Sequence, residues 1–126
     1  MGKTSNIQTV LILGASNKPH RYALKALQLL KRHGHRIIPV HPKLTEIEGI
    51  KVNNTLEEIT ESVDTLSLYI GAQRSQSLIK DIVKLKPGRV IFNPGTESEL
   101  LEQALEDAGI SYEHDCTLIM LETGSF

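Results

Sequence analysis

Short apolar runs alternate with amphipathic segments along the chain. Val10–Leu13 ends at a glycine and is followed by leucines and alanines at helical spacing, which predicts a buried strand and then a helix over Pro19–His33. Arg36–Pro42 is predicted to be a second strand, in which Pro39 cannot donate to a ladder and should end the pairing. Thr65–Ile70 alternates with period two and predicts a third strand.

The second half of the chain repeats this order of elements. Apolar residues at helical spacing over Leu78–Leu85 predict a helix, and Arg89–Phe92 predicts a fourth strand. A further helix should end at Gly109, and a fifth strand should lie within Ile110–Glu113. The apolar tail Cys116–Leu121 is either a sixth short strand or a packed extended segment, because periodicity does not distinguish the two.

Two capping boxes mark further helix starts. Thr55 with Glu58 predicts a brief helix, and Thr96 with Glu99 predicts the start of the long helix before Gly109. Pro19 suits the first position of the first helix.

Strands that alternate with helices predict an α/β fold. We expect residues 1–126 to form a single Rossmann-like, doubly wound domain with a mostly parallel sheet of five to six strands and helices on both faces. In such sheets, ligands bind at the C-terminal ends of the strands. The turns expected to share that edge are Gly14–Arg21, His41–Lys43, Gly71 and Asn93–Thr96.

Composition narrows the classes of partner. The chain has 14 Lys and Arg against 15 Asp and Glu, a net charge of -1, so it has no general attraction for nucleic acid or an anionic membrane. Its single cysteine cannot form an internal disulfide, which favours a reducing, cytoplasmic setting. Met1–Asn6 also lacks the apolar core of a signal peptide.

The turn after the first strand has the features of a phosphate site. A helix N-terminus offers unpaired N–H groups and the positive end of the helix dipole, and Lys18, His20 and Arg21 add positive charge. A dinucleotide fingerprint would have glycine at three positions, where this chain has Gly14, Ser16 and a proline. The alternative is an ordinary turn in which the glycine only relieves backbone strain.

The end of the second strand argues against nicotinamide dinucleotides. A carboxylate normally holds the ribose diol there, yet no Asp or Glu occurs between Gly34 and Lys43. His41 and Lys43 occupy the position instead, and a cation attracts a 3′-phosphate such as that of CoA.

Several short motifs together resemble the small stand-alone CoA-binding domains, which are similar in fold to the CoA-binding domain of the succinyl-CoA synthetase alpha subunit. The matching pieces span nearly the whole chain: Gly14-Ala15-Ser16 with Pro19 and Arg21, Pro39-Val40 with Pro42, Glu46-Ile47 with Gly49, Val63-Asp64, Asn93-Pro94-Gly95, and Cys116. His41 stands where asparagine is expected before the proline.

The resemblance implies that CoA or an acyl-CoA is held at the strand ends. The implied contacts are Gly14, Ala15, Ser16, Asn17 and Arg21 at the phosphates, His41 and Lys43 toward the adenosine, and Asn93, Pro94 and Gly95 across the crevice.

Two classes of function remain open. We favour a binding module, either a sensor or a subunit that presents the cofactor, because no metal-ligand spacing or nucleophile motif occurs in the sequence. The alternative is a small enzyme, either one that uses Cys116 in acyl or thiol transfer or a nucleotide-dependent oxidoreductase. Cys116 is read either as a buried, inert side chain or as a thiol near the ligand. A protein partner or a second copy of the chain stays open.

Overall fold

A five-stranded, all-parallel sheet forms the centre of the computed structural model, which describes residues 7–126. Met1–Asn6, the segment without a signal-peptide core, lies outside the described residues. The strands are β1 (Thr9–Leu13), β2 (Arg36–Val40), β3 (Glu46–Ile47), β4 (Ile50–Lys51), β5 (Thr65–Leu68), β6 (Arg89–Phe92) and β7 (Ser111–His114). The helices are α1 (Tyr22–Arg32), α2 (Ala72–Ser75), α3 (Ile79–Leu85), α4 (Glu99–Asp107) and α5 (Thr117–Thr123).

Helices cover both faces of the sheet, as a doubly wound fold requires. Alternate residues of β1 belong to different cores: Val10 and Ile12 pack with α1, whereas Leu11 and Leu13 pack with α3 and α4. β3 and β4 form a separate two-stranded hairpin after β2. The predicted Rossmann-like α/β class is therefore confirmed, with five strands in the main sheet.

The strand order places the site. The order is β2-β1-β5-β6-β7, so the chain leaves β1 in one direction to reach β2 and returns past β1 to reach β5. This reversal opens a crevice at the C-terminal ends of β1 and β5. No helix within residues 7–126 has both the length and the apolar character needed to cross a bilayer.

The tail prediction was wrong, because Cys116–Leu121 contributes to a helix and not to a strand or an extended segment. Thr117, Met120 and Leu121 are buried at helical spacing, and Leu121 packs into the same core as α1. A run of six mostly apolar residues is too short for its pattern to distinguish the two-residue period of a strand from the period of a helix.

The first helix begins later than predicted. A turn closed by a hydrogen bond from Arg21 N–H to Lys18 O (3.0 Å) precedes it, and Pro19 occupies the second position of that turn. Proline fixes φ at a value that suits a β-turn as well as a first helical turn. α1 therefore starts at Tyr22 and ends at Arg32.

Pairing does not end at Pro39, contrary to the sequence-based expectation. Pro39 is in register with Ile12, and the next pair, Val40 with Leu13, continues the ladder. β2 is an edge strand, and the Pro39 carbonyl points outward to accept from Asn53 N–H (3.0 Å). The missing N–H of proline lies on the same outer side, so pairing with β1 is unaffected.

Neither predicted capping box forms, although Thr55 does occupy the N-cap position of a short helical turn. Thr55 precedes only a 3-10 turn, Leu56–Glu58, and makes no side-chain cap. α4 begins at Glu99 and is capped by Ser98, whose hydroxyl accepts from Leu101 N–H (3.2 Å). The Thr96 hydroxyl instead donates to the carbonyl oxygen of Asn93 (2.7 Å).

Candidate functional site

Two adjoining cavities lie at the C-terminal edge of the sheet. The polar cavity, of about 350 Å³, is lined by residues that include Gly14, Ala15, Ser16, Lys18, Arg21, His41, Tyr69, Ile70, Arg74 and Pro94. The apolar cavity, of about 500 Å³, is lined by residues that include Leu13, Gly14, Val40, Pro42, Asn54, Leu56, Ile70, Arg74 and Leu78. Gly14, Ile70 and Arg74 border both, and the two adjoining cavities are together called the cleft.

Gly14 and Ala15 form the floor of the cleft. Gly14 has φ +96°, and a Cβ there would lie 2.6 Å from Cγ2 of Ile70, so the fold itself requires glycine. The N–H groups of Gly14 and Ala15 both donate to Val40 O, at 3.2 and 3.1 Å. These two residues shape the cleft, while their donors are already used by β2.

The turn that leads to α1 leaves the hydroxyl hydrogen of Ser16 free, although the N–H groups of Lys18 and Arg21 are bonded within the turn. The Ser16 hydroxyl accepts from Lys18 N–H (3.1 Å), which leaves the hydroxyl hydrogen available to a ligand. No side chain caps α1, and its first turn contains no acidic residue. Lys18 and Arg21 line the polar cavity beside this helix end, whereas Asn17 is exposed and lies outside its lining. The corner suits an anion.

Arg74 is a site residue that sequence reasoning missed. It lies in α2, just after β5, and borders both cavities. The sequence gives one clue to Arg74: it follows Gly71 by three residues, and Gly71 is predicted to lie at this edge of the sheet. Lys18, Arg21 and Arg74 therefore bring three cations to one cavity from two separate segments.

His41 holds the tip of β2 through its ring. Its Nδ1 accepts from Lys43 N–H (3.0 Å) and from Leu44 N–H (3.1 Å). An asparagine oxygen makes the same kind of turn, which explains how histidine replaces the expected asparagine. Burial lowers the pKa of His41, and the nearby Arg74, Lys43 and Lys18 lower that pKa further. Lys43 is exposed and lines neither cavity.

Asn93 lines neither cavity, and its side chain is bonded within the fold. It is 2% exposed, and its Nδ2 donates to Ser67 Oγ and to Leu68 O, both at 2.9 Å. Its Oδ1 accepts from Thr117 N–H (2.9 Å). Of the predicted segment Asn93–Gly95, Pro94 lines the polar cavity. The N–H of Gly95 donates to Glu97 Oε2 (3.1 Å).

Tyr69 lines the polar cavity and carries a buried hydroxyl. Within residues 7–126 its buried hydroxyl has no hydrogen-bond partner, and burial raises the pKa of Tyr69 to about 12. The hydroxyls of Thr117 and Ser67, which are bonded to each other at 2.8 Å, favour the charged form but offset only part of that shift. Cys116 is half-buried before α5 and is not among the residues that line either cavity.

A further hollow of about 530 Å³ lies at the opposite edge of the sheet, against Arg89. The guanidinium of Arg89 donates to Thr65 Oγ1 (2.9 Å), Glu113 Oε2 (3.0 Å) and Phe126 O (2.6 Å), so its charge is used inside the fold. Across residues 7–126, no three His, Cys, Asp or Glu side chains are grouped as a metal ion would require. The cleft at the C-terminal edge is therefore the candidate site.

Comparison with known proteins identifies the family and the fold. The family model of the CoA binding domain matches residues 8–122. A solved structure of an uncharacterised protein is 47% identical, with a TM-score of 0.90, and the match covers 95% of this chain and 98% of that one. A Thermus thermophilus structure is 28% identical, with a TM-score of 0.88, and the match covers 98% of this chain and 93% of that one.

A larger enzyme subunit contains a similar region. The alpha subunit of the ADP-forming acetate–CoA ligase II of Pyrococcus furiosus is 28% identical over 92 residues, which is 71% of this chain but 20% of that subunit. The family match spans both cavities and the whole sheet. This chain belongs to the CoA-binding domain family.

Proposed function

We propose that the chain binds CoA or an acyl-CoA in the cleft and acts as a binding module. The convergence of Lys18, Arg21 and Arg74 on the polar cavity carries this proposal. The whole chain has a net charge of -1, so this positive cluster is local and suits the diphosphate of CoA.

The diphosphate belongs at the start of α1. There the Ser16 hydroxyl, the uncapped helix end and the guanidinium of Arg21 meet the same cavity. Arginine binds phosphate oxygens through two parallel N–H donors, which gives it more directional contact than a lysine has. Arg74 borders both cavities and can reach a phosphate from the other side.

The adenosine belongs in the apolar cavity. Its lining includes the aliphatic side chains of Val40, Leu56 and Leu78. Polar side chains, among them the carboxylates of Glu57 and Asp81, also line it. A flat base gains from apolar contact on its faces. The tip of β2 borders this cavity at Pro42, and the exposed Lys43 next to it can meet a 3′-phosphate.

The side chains around the cleft favour binding over catalysis. The Nδ1 of His41 already accepts two N–H groups, so that lone pair cannot take a proton from a substrate. Cys116 is not among the residues that line either cavity. We therefore infer a sensor or a subunit that presents CoA to a protein partner or a second copy of the chain. The single cysteine favours the reducing cytoplasm for this role.

Thermal denaturation with matched ligands tests the proposal. A ligand that binds only the folded chain stabilises it by about 2.7 kcal/mol at one hundred times its Kd. CoA should raise Tm most, dephospho-CoA should raise it less, and NAD should have little effect at the same concentration. NADP is the control for a phosphate on the ribose alone. A larger shift with NAD than with CoA would overturn the ligand assignment.

A further inference from the structure

The two ring nitrogens of His41 have different surroundings. Nδ1 accepts from the N–H groups of Lys43 and Leu44, at 3.0 and 3.1 Å. A nitrogen that accepts carries no proton, so the hydrogen of the neutral ring lies on Nε2. His41 also lines the polar cavity.

The backbone around this ring is held in place. His41 N–H donates to Asn53 O (3.0 Å), and the side-chain amide of Asn54 donates to the carbonyls of His41 (2.8 Å) and Leu44 (2.9 Å). Turning the ring over would break both bonds to Nδ1. The tip of β2 is therefore preorganised, and the Nε2 side of the ring is the side left for a ligand.

A second proton on the ring would be unfavourable. It would have to sit on Nδ1, where two N–H donors already point at the nitrogen. The charged side chains that act on the ring are Arg74 from α2, Lys18 from the turn after β1, and Lys43 from its own loop, and all three are cations. Burial and these cations together lower the pKa of His41.

We propose that His41 is a ligand-binding residue that stays neutral when CoA binds, with Nδ1 fixing the tip of β2 and Nε2–H donating to an oxygen of the ligand. The positive charge of the cleft then comes from Lys18, Arg21 and Arg74, and not from histidine. This inference rests on the proposed function, because it names one contact within the same site.

Proton uptake on binding tests the charge state. Titration calorimetry of the wild type with dephospho-CoA, whose diphosphate has no second ionisation near neutrality, is run at about pH 6.5 in two buffers of different ionisation enthalpy. After subtraction of the heat of dilution, we expect the same binding heat in both buffers. We expect the same result for His41→Asn. Uptake of a proton by the wild type that His41→Asn abolishes would overturn the inference.

The variant His41→Asn also isolates the donor. The asparagine oxygen can still accept from Lys43 N–H, so Tm should be unchanged. Its amide nitrogen is a donor but ends one bond short of the Nε2 position, so loss of the longer Nε2–H donor should weaken CoA binding roughly tenfold. His41→Leu loses both roles and should lower Tm as well. If His41→Asn binds CoA as tightly as the wild type, the inference about His41 is overturned and the proposed function is not. Failure of the wild type itself to bind CoA would overturn the proposed function along with it.

Discussion

Gly14 and Ile70 bring the ends of β1 and β5 together as closely as the backbone permits. A Cβ on Gly14 would lie 2.6 Å from Cγ2 of Ile70 and 3.0 Å from the carbonyl carbon of Tyr69. The N–H of Tyr69 donates to Leu13 O (2.8 Å), which fixes the same approach. This contact places Arg74 and the start of α1 around one cavity.

Gly14→Ala should destabilise the fold by about 2–4 kcal/mol, the sum of a left-handed backbone conformation and overpacking against β5. Gly49→Ala is the matched control, since Gly49 has φ +82° but nothing within 4 Å of its Cβ position. It should lose only about 1–2 kcal/mol, the cost of the left-handed conformation by itself. Urea denaturation measures both. Equal losses would show that the contact with Ile70 does not constrain the turn.

Arg21→Ala and Arg74→Ala should each weaken CoA binding by about 1.5–3 kcal/mol, the range for hydrogen bonds to charged groups, with little change in Tm. Arg32→Ala is the control, because Arg32 is exposed at the other end of α1. It should leave affinity unchanged. Titration calorimetry decides between them, and a variant that binds as tightly as Arg32→Ala has no role at the phosphates.

Much of the cleft could be predicted because its turns are marked locally. Gly14, His41 and Asn93 each follow an apolar run, and the ends of parallel strands meet at one edge of a sheet. Arg74 has no such mark. It reaches the cleft because β5 pairs with β1, a contact between residues far apart in sequence, and the four-residue helix that carries it has no pattern of its own.

Other features depended on tertiary contacts that local patterns do not show. The sequence of Asn93–Gly95 is typical of a turn, but only the pairing of β5 with β6 directs the Asn93 amide inward to Ser67. The tail forms α5 because α1 offers an apolar face on which Leu121 packs. A short apolar run therefore takes the structure that its neighbours favour.

Asn93→Ala should destabilise the fold by about 2–4 kcal/mol, since it leaves buried polar groups of Ser67, Leu68 and Thr117 without their partner. Gln103→Ala is the control, because it removes an exposed bond to Asp107 (2.9 Å) and should cost less than about 0.5 kcal/mol. Chemical denaturation measures both. A stable Asn93→Ala chain that no longer binds CoA would instead make Asn93 a direct ligand contact.

Cys116→Ser should keep CoA affinity within a few fold, because the contacts proposed here are to phosphates and adenosine. The thiol is half-buried and lies outside the lining of both cavities. Titration calorimetry measures the affinity, and a thiol-reactive probe on the native chain tests the alternative. Rapid labelling of Cys116 that CoA blocks would favour acyl or thiol transfer over a binding module.

Stability should fall as the pH drops below about 6.5, and His35 should account for part of this fall. Its Nδ1 accepts from Gln8 N–H (3.0 Å). Burial lowers the pKa of His35 in the folded chain, with smaller effects from His33 and Arg89. The unfolded chain therefore takes up the proton first, so this stabilisation is present above about pH 6.5 and is lost as the pH falls toward the folded-state pKa.

The variant His35→Gln isolates this contribution. Unfolding free energies of the wild type and the variant are compared between about pH 7.5 and pH 5, above the range in which the carboxylates of Glu61 and Glu97, with their lowered pKa values, take up protons. The pKa of His41 is lowered too, so the slope should become shallower in His35→Gln without vanishing. An unchanged slope in His35→Gln would mean that its ring takes up a proton equally well in the folded and unfolded chains, and the bond from Gln8 N–H would then not hold Nδ1 unprotonated.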